Sequence, residues 1–201
     1  AAEHLEVSRD DIHYQDGVCT VPGTDLAISL KQIADDEALR KCVVSNGVQG
    51  VTFTTTVGCH AAWVSVDVQT GEVQLRGYAS YDDVGNILEP ALLDGQIHGG
   101  VAQGVGQAIG ERMVYDTTSG QLLTASFMDY WIARADDLPF FEVHHGQTPA
   151  ANPLGTRGVG EAGAIPASAV VANAVADALS PLGAGLLDLP LTPDRVWAAL
   201  P

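Results

Sequence analysis

Trp63-Val64-Ser65-Val66-Asp67-Val68-Gln69-Thr70-Gly71-Glu72-Val73-Gln74-Leu75-Arg76 is the stretch that decides the fold. Trp63, Ser65 and Asp67 alternate with Val64, Val66 and Val68, the pattern that sends successive side chains to opposite faces of a strand. Gln69-Thr70-Gly71 then turns the chain into a second β-prone run, so the spacing predicts an antiparallel hairpin with one buried face. The β region begins at the β-branched run Val51-Thr52-Phe53-Thr54-Thr55-Thr56 and reaches Tyr81. Residues 82–90 are polar, carry Gly and Pro, and read as a loop. Beyond them Leu93, Ile97, Val101, Val105, Ala108 and Ile109 keep helical spacing within a helix predicted from Leu92 to Met113. Strands followed by helices make the fold class α+β, a mixed α/β arrangement of sheets packed with helices.

Working toward the N-terminus, residues 1–50 read as a small α/β segment separate from 51–201. Asp16-Gly17 between Ile12-His13-Tyr14 and Val18-Cys19-Thr20-Val21 is a hairpin signal. Ser29-Leu30-Lys31-Gln32 fits a capping box, which predicts one helix to Arg40 with Leu30, Ile33, Ala34 and Leu39 toward a core. Ser45-Asn46-Gly47 breaks the chain there. Toward the C-terminus, residues 116–120 read as a turn, and Leu122–Ile132 and Phe140–His144 as strands. Residues 146–165 have no period. A last long helix is predicted from near Pro166 to before Pro181, apolar nearly all round except for Asn173, Asp177 and Ser180, and therefore buried. Residues 184–201 close the chain with a short strand and a helical turn.

Of the 201 residues, 46% are hydrophobic, too many for a disordered chain, and no uninterrupted apolar run of bilayer-spanning length stands out. Nine basic against 25 acidic side chains give a formal charge of −16, which disfavours binding to nucleic acid and to anionic membranes. Cys19, Cys42 and Cys59 are widely spaced, so buried free thiols in a reducing, cytoplasmic compartment are expected rather than disulfides or a metal cluster. Ala1-Ala2-Glu3-His4-Leu5 lacks the regions of a signal peptide and reads as the interior of a longer protein. His144 and His145, adjacent on a strand, face opposite ways and are expected to be ordinary surface or core histidines.

Two clusters of glycine are not explained by folding alone. Between Asp94 and Arg112, glycine occupies positions 95, 99, 100, 104, 106 and 110. Each interior helix glycine costs about 0.8–1 kcal/mol relative to alanine, so the segment needs a compensating reason. Gln96, Gly100, Gln103 and Gln107 fall on one helix face. Such a face either hydrogen-bonds a polar ligand against bare backbone or packs tightly on another helix with its glutamines in water. The second cluster is Gly155-Thr156-Arg157-Gly158-Val159-Gly160-Glu161-Ala162-Gly163, in a long irregular loop of a kind that compact domains keep for function. Glu161 stands there among glycines just before a helix start; it is either a catalytic carboxylate or a simple complement to the helix dipole. Gly158-x-Gly160-x-x-Gly163 also fits a dinucleotide fingerprint, but Ala150-Ala151-Asn152-Pro153-Leu154 before it is no strand, and that reading is set aside.

Together these segments resemble the C-terminal part of the molybdopterin-binding catalytic subunit of the molybdenum hydroxylases, the family of xanthine dehydrogenase, aldehyde oxidoreductase (aldehyde oxidase) and the carbon monoxide dehydrogenase large subunit. Residues 95–106 resemble its cofactor-proximal glycine-rich helix, residues 158–163 the loop bearing its active-site glutamate, and residues 172–179 and 189–193 continue the likeness. The resemblance implies a molybdenum oxidoreductase with molybdopterin, usually the cytosine dinucleotide in bacterial members. It implies Glu161 as general base, and Gln96, Gly99, Gly100, Gln103, Gly104, Gly158 and Gly160 as cofactor-binding residues, with no metal ligand from this chain. An electron-poor carbon of an aldehyde or N-heterocycle would be hydroxylated, and electrons would pass to iron–sulfur and FAD subunits or domains. Family subunits are several times longer, so residues 51–201 would be the C-terminal molybdopterin-binding portion, with the upstream part of the same subunit as partner. Alone, the chain is expected to hold no cofactor and to be inactive. Arg157 stands where lysine is frequent in the family and Ala164 where threonine is. Two other readings compete: a non-catalytic assembly piece, and a nucleotide-binding domain using the Gly158 loop.

Overall fold

The computed structural model describes residues 1–40 and 54–201. Cys42, the Ser45-Asn46-Gly47 break and the first residues of the 51–56 run lie outside them. The chain divides into two compact units, Ala1–Val51 and Thr52–Pro201.

The first unit begins with α1 (Ala2–Leu5) and carries the expected hairpin, β1 (His13–Gln15) and β2 (Val18–Thr20). Asp16 and Gly17 both take positive φ, 48° and 81°, as a two-residue hairpin turn demands. A third strand not foreseen from the sequence, β3 (Ala27–Ser29), pairs antiparallel with β2. The capping box forms: Ser29 Oγ accepts from the Gln32 amide and Gln32 Oε1 from the Ser29 amide. The helix it starts is shorter than predicted. α2 (Leu30–Asp35) stops at Asp36, whose carboxylate accepts from the Ala38 and Leu39 amides and opens α3 (Glu37–Arg40). A side chain that caps a new helix has ended the old one. Leu30 and Ala34 are exposed rather than in a core, and only Ile33 and Leu39 are half-buried.

The second unit is built on the predicted hairpin. β4 (Val57–Val66) pairs antiparallel with β5 (Val73–Asp83), with a bulge between Trp63 and Val64. β5 runs two residues further than the alternation suggested, because Asp82 and Asp83 continue the ladder. β6 (Phe141–Gly146) adds to β5 in parallel, giving the order β4-β5-β6. The connection between those parallel strands passes through α4 (Pro90–Ile109), which has Pro90 in its first turn and ends at Gly110. The predicted apolar stripe is there: Leu93, Ile97, Val101, Val105 and Ala108 are buried against Leu75, Tyr78 and Phe141.

α5 (Ala164–Leu179) packs on α4 and β4. It was expected to be buried all round, yet only one stripe, Ala167, Val171, Val175 and Leu179, is fully covered. The opposite stripe is exposed, including Ile165, Ala169, Asn173 and Asp177. By length and composition Ala164–Leu182 is apolar enough to cross a membrane, but its valine and leucine stripe is used in the two cores. α6 (Pro193–Ala198) seats Val196 beside Val175, Leu179 and Leu191. Leu122–Ile132, predicted as a strand, forms only the isolated bridge Tyr115–Leu122, and no strand forms in 184–201. Cys19 is a buried free thiol as expected, while Cys59 is free but exposed.

Candidate functional site

The irregular loop 147–163 is tied down by short, separate contacts. The Thr148 amide donates to Asp83 Oδ1 at 2.9 Å, and Arg157 donates to the carbonyls of Thr148 and Thr55 at 3.2 and 3.0 Å. The Asn86 amide donates to the Gly155 carbonyl, and the Arg157 amide to that of Val84, both at 2.9 Å. Thr56 Oγ1 donates to the Gly158 carbonyl. Each contact fixes a backbone position that has no helix or sheet to fix it.

This bracing holds Gly158, Gly160 and Glu161 at the wall of a cleft of about 540 Å³. Thr54–Thr56 with Gly58, His60 and Asp82 line its other side. Ala162, Ile165 and Pro166 give it an apolar margin. Glu161 is exposed, its carbonyl accepts from the Ala164 and Ile165 amides at the start of α5, and among the described residues nothing hydrogen-bonds its carboxylate. A second cleft, of about 410 Å³, shares Gly160 and is lined by Gln96. Gln96 Nε2 donates to the Gly160 carbonyl at 2.7 Å. The two glycine-rich segments, 64 residues apart at this contact, therefore meet one residue from Glu161.

The remaining predicted site residues separate into two groups. Gly100 and Gly104 are turned into the α4–α5 contact. A Cβ on Gly100 would lie 2.9 Å from the Ala164 amide nitrogen, and one on Gly104 would lie 2.6 Å from Ala167 Cβ. Gly163 completes the contact, since its Cβ would fall 2.4 Å from the Ile97 carbonyl oxygen. At these positions the reason for glycine is close helix packing. Gly99 and Gln103 are exposed on α4 and line neither cleft, and a Cβ on Gly99 or Gly160 would meet nothing within 4 Å. A larger cleft of about 830 Å³, lined by residues that include Arg76, Trp131 and Asp136, contains none of the predicted site residues. His144 is exposed, while His145 is half-buried with Nε2 2.7 Å from Asp94 Oδ1. Gly158-x-Gly160-x-x-Gly163 does not follow a strand, which removes the context a dinucleotide fingerprint needs.

Sequence reasoning missed the floor of the Glu161 cleft. His60 and Asp82 have side chains 1% and 3% exposed, with His60 Nε2 3.2 Å from both Asp82 oxygens. His60 Nδ1 lies 2.7 Å from Tyr78 Oη. Burial first, and the charge of Asp82 after it, push the Tyr78 hydroxyl far above the ordinary phenol range, so it keeps its proton. The signal was available: His60 and Asp82 both lie on the hairpin, but Asp82 had been read as loop.

Residues 1–139 match the molybdopterin cofactor-binding domain family. The chain is 38% identical over 211 residues to the nicotine 6-hydroxylase large subunit of Paenarthrobacter nicotinovorans, a match that covers 99% of this chain and 26% of that one. It is 33% identical to the carbon monoxide dehydrogenase large chain of Hydrogenophaga pseudoflava, covering 100% and 26%. Among solved structures, quinoline 2-oxidoreductase from Pseudomonas putida 86 superposes with TM-score 0.74 at 30% identity, over 99% of this chain and 27% of that one. Cu,Mo-CO dehydrogenase superposes with TM-score 0.73 at 28% identity, covering 98% and 26%. The chain spans about a quarter of the length of these relatives. With its mixed α/β fold, its glycine-rich helix and the loop that meets it, this chain belongs to the molybdenum hydroxylase family and comprises part of the molybdopterin-binding region of the large subunit.

Proposed function

We propose that this chain supplies the general base Glu161 and part of the pterin pocket of a molybdenum oxidoreductase that hydroxylates an aldehyde, an N-heterocycle or a similar substrate. The observation that carries this reading is the Gln96–Gly160 hydrogen bond, which brings the glycine-rich helix to the loop whose next residue is Glu161. The residues fit a bulky ring ligand in part: Gly99 and Gly160 present backbone to open space, and Gln103 is exposed. Gly100 and Gly104, by contrast, serve that ligand only indirectly, by setting the α4–α5 spacing. Gln96, Gly99, Gln103, Gly158 and Gly160 would hold molybdopterin, in the cytosine dinucleotide form. When bound, the cofactor supplies the two-electron oxidation of the substrate carbon.

Glu161 then takes one proton on its carboxylate, which no other described side chain occupies. The braced loop keeps that carboxylate in place, and Ile165, Pro166 and Ala162 form a margin that limits water. Two relatives carry the names of N-heterocycles, nicotine and quinoline, which supports that substrate class over the others. The remainder of the catalytic subunit, with iron–sulfur and FAD partners, would complete the enzyme in a reducing, cytoplasmic setting compatible with the free thiols of Cys19 and Cys59.

In the complete enzyme, Glu161→Gln should lower kcat by about 10²–10⁴-fold, the range for a lost general base, with molybdenum content unchanged. Undiminished turnover in that variant, measured at equal molybdenum loading, would remove Glu161 from the chemistry.

A further inference from the structure

The floor of the Glu161 cleft holds a charge arrangement that the proposed chemistry does not use. In the β4–β5 register His60 stands opposite Ser80, while Tyr78 and Asp82 are its diagonal neighbours. The ring is therefore bracketed along the strand, with Nε2–H donating to Asp82 and the Tyr78 hydroxyl reaching Nδ1. Gly58 makes this possible. It stands directly opposite Asp82, and a Cβ there would lie 2.2 Å from Asp82 Oδ1. Only glycine leaves the carboxylate room to lie across β4 toward His60.

A carboxylate buried to this degree needs a compensating charge. The titratable groups facing His60 are Asp82 and Tyr78 from β5 and Glu161 from the loop across the cleft. α5 contributes Ile165 and Pro166 to the cleft and no titratable side chain. Arg157, on the same loop, is engaged with Asp83 and the carbonyls of Thr55 and Thr148. The Asp82–His60 pair is thus a coupled unit with two states. With one proton it is a carboxylate beside a neutral imidazole, net −1. With a second proton on Nδ1 it is net zero.

We propose that the Asp82–His60 pair is a positioning element of the Glu161 site, whose second proton sets the charge of the cleft floor and so biases the ionisation of Glu161. This rests on reading Glu161 as the base. The singly protonated pair opposes a second carboxylate in the cleft, and the doubly protonated pair does not. Coupling is reciprocal, so the Glu161 charge must favour the second proton on the pair by the same factor.

The test is histidine C2-hydrogen exchange followed by mass spectrometry on the complete enzyme, resolving His60 across pH 5–9. Glu161→Gln removes a negative charge at an exposed position without threatening the fold. It should lower the proton affinity of His60 by about threefold, leave that of His13 unchanged, and leave His60 slow to exchange. Asp82→Asn should lower His60 affinity further. Identical His60 titrations in wild type and Glu161→Gln would overturn the proposal. Turnover of Glu161→Gln, assayed on the same samples, tests the general-base reading separately. Retained turnover with a shifted His60 would sink that reading, and lost turnover with an unshifted His60 would sink this one.

Discussion

Asp82 and Asp83 are neighbours on β5 with opposite assignments. Asp82 turns inward to His60, and Asp83 turns outward to hold the loop that presents Glu161. Hydrogen bonds from Thr148 come first, then that from the Gly85 amide and the charge of Arg157, and together they hold the Asp83 carboxyl below the usual carboxylate range. A carboxyl depressed by folding adds stability that is complete above its ordinary value, near 3.9, and disappears as pH falls through the lower folded value. Asp83→Asn should therefore lower Tm at pH 7, and the gap between variant and parent should narrow progressively below about pH 4. Thermal unfolding of both proteins from pH 7 to pH 3 checks this; a gap that stays constant into acid would mean that Asp83 acts through shape alone. Glu161 was legible in the sequence because a single carboxylate among glycines is conspicuous. Asp82 was not, because Asp82-Asp83 followed by Gly85 has the composition of a turn. Its partner lies 22 residues away on another strand, and local composition does not report strand register.

The contact between α4 and α5 shows what periodicity reveals about an element and what it conceals. Spacing alone located the buried stripe of α4, since burial of apolar side chains at helical intervals dictates it. Whether a helix glycine serves a ligand or a neighbouring helix was not legible, because both uses require only that Cβ be missing. The structure separates them, and the two kinds should respond oppositely to alanine. Gly99→Ala meets open space and should stabilise by up to about 1 kcal/mol through helix propensity. Gly104→Ala would press a methyl to 2.6 Å from Ala167 Cβ and 2.9 Å from the Ala164 carbonyl oxygen. Overpacking of that kind costs about 1–3 kcal/mol, which outweighs the propensity gain, so this variant should be destabilised. Urea unfolding of the two variants beside the parent decides it, and equal shifts would refute the division. Elements whose existence depends on a partner were the ones misread. Leu122, Leu123, Phe127 and Ile132 have the composition of a strand, but apart from the bridge at Leu122 no neighbouring strand receives them. The predicted helix from Leu30 yielded at Asp36 to a local cap.

At the scale of the whole molecule, large apolar side chains remain uncovered. Phe127 is 79% exposed, Met128 92%, Phe140 84% and Leu186 79%. A chain with formal charge −16 remains dispersed by repulsion, yet exposed apolar side chains of this size mark surfaces that a partner covers. The chain spans about a quarter of its relatives' length, so the remainder of the same subunit is the natural cover. The cofactor reading needs that remainder as well. This chain provides one wall, with Glu161 on its loop and Gln96 on α4, whereas tight binding of a large cofactor requires enclosure on several sides. The 201 residues expressed alone should therefore bind a hydrophobic dye such as ANS and carry no molybdenum by elemental analysis. Co-expression with the upstream region should quench the dye signal and bring molybdenum toward one per complex. Phe127→Ser with Met128→Ser should weaken that association without altering the far-ultraviolet circular dichroism of the isolated chain, because neither side chain is part of the described cores. Stoichiometric molybdenum in the isolated chain would show that this single wall suffices, and the division of the pocket between two parts of the subunit would then be wrong.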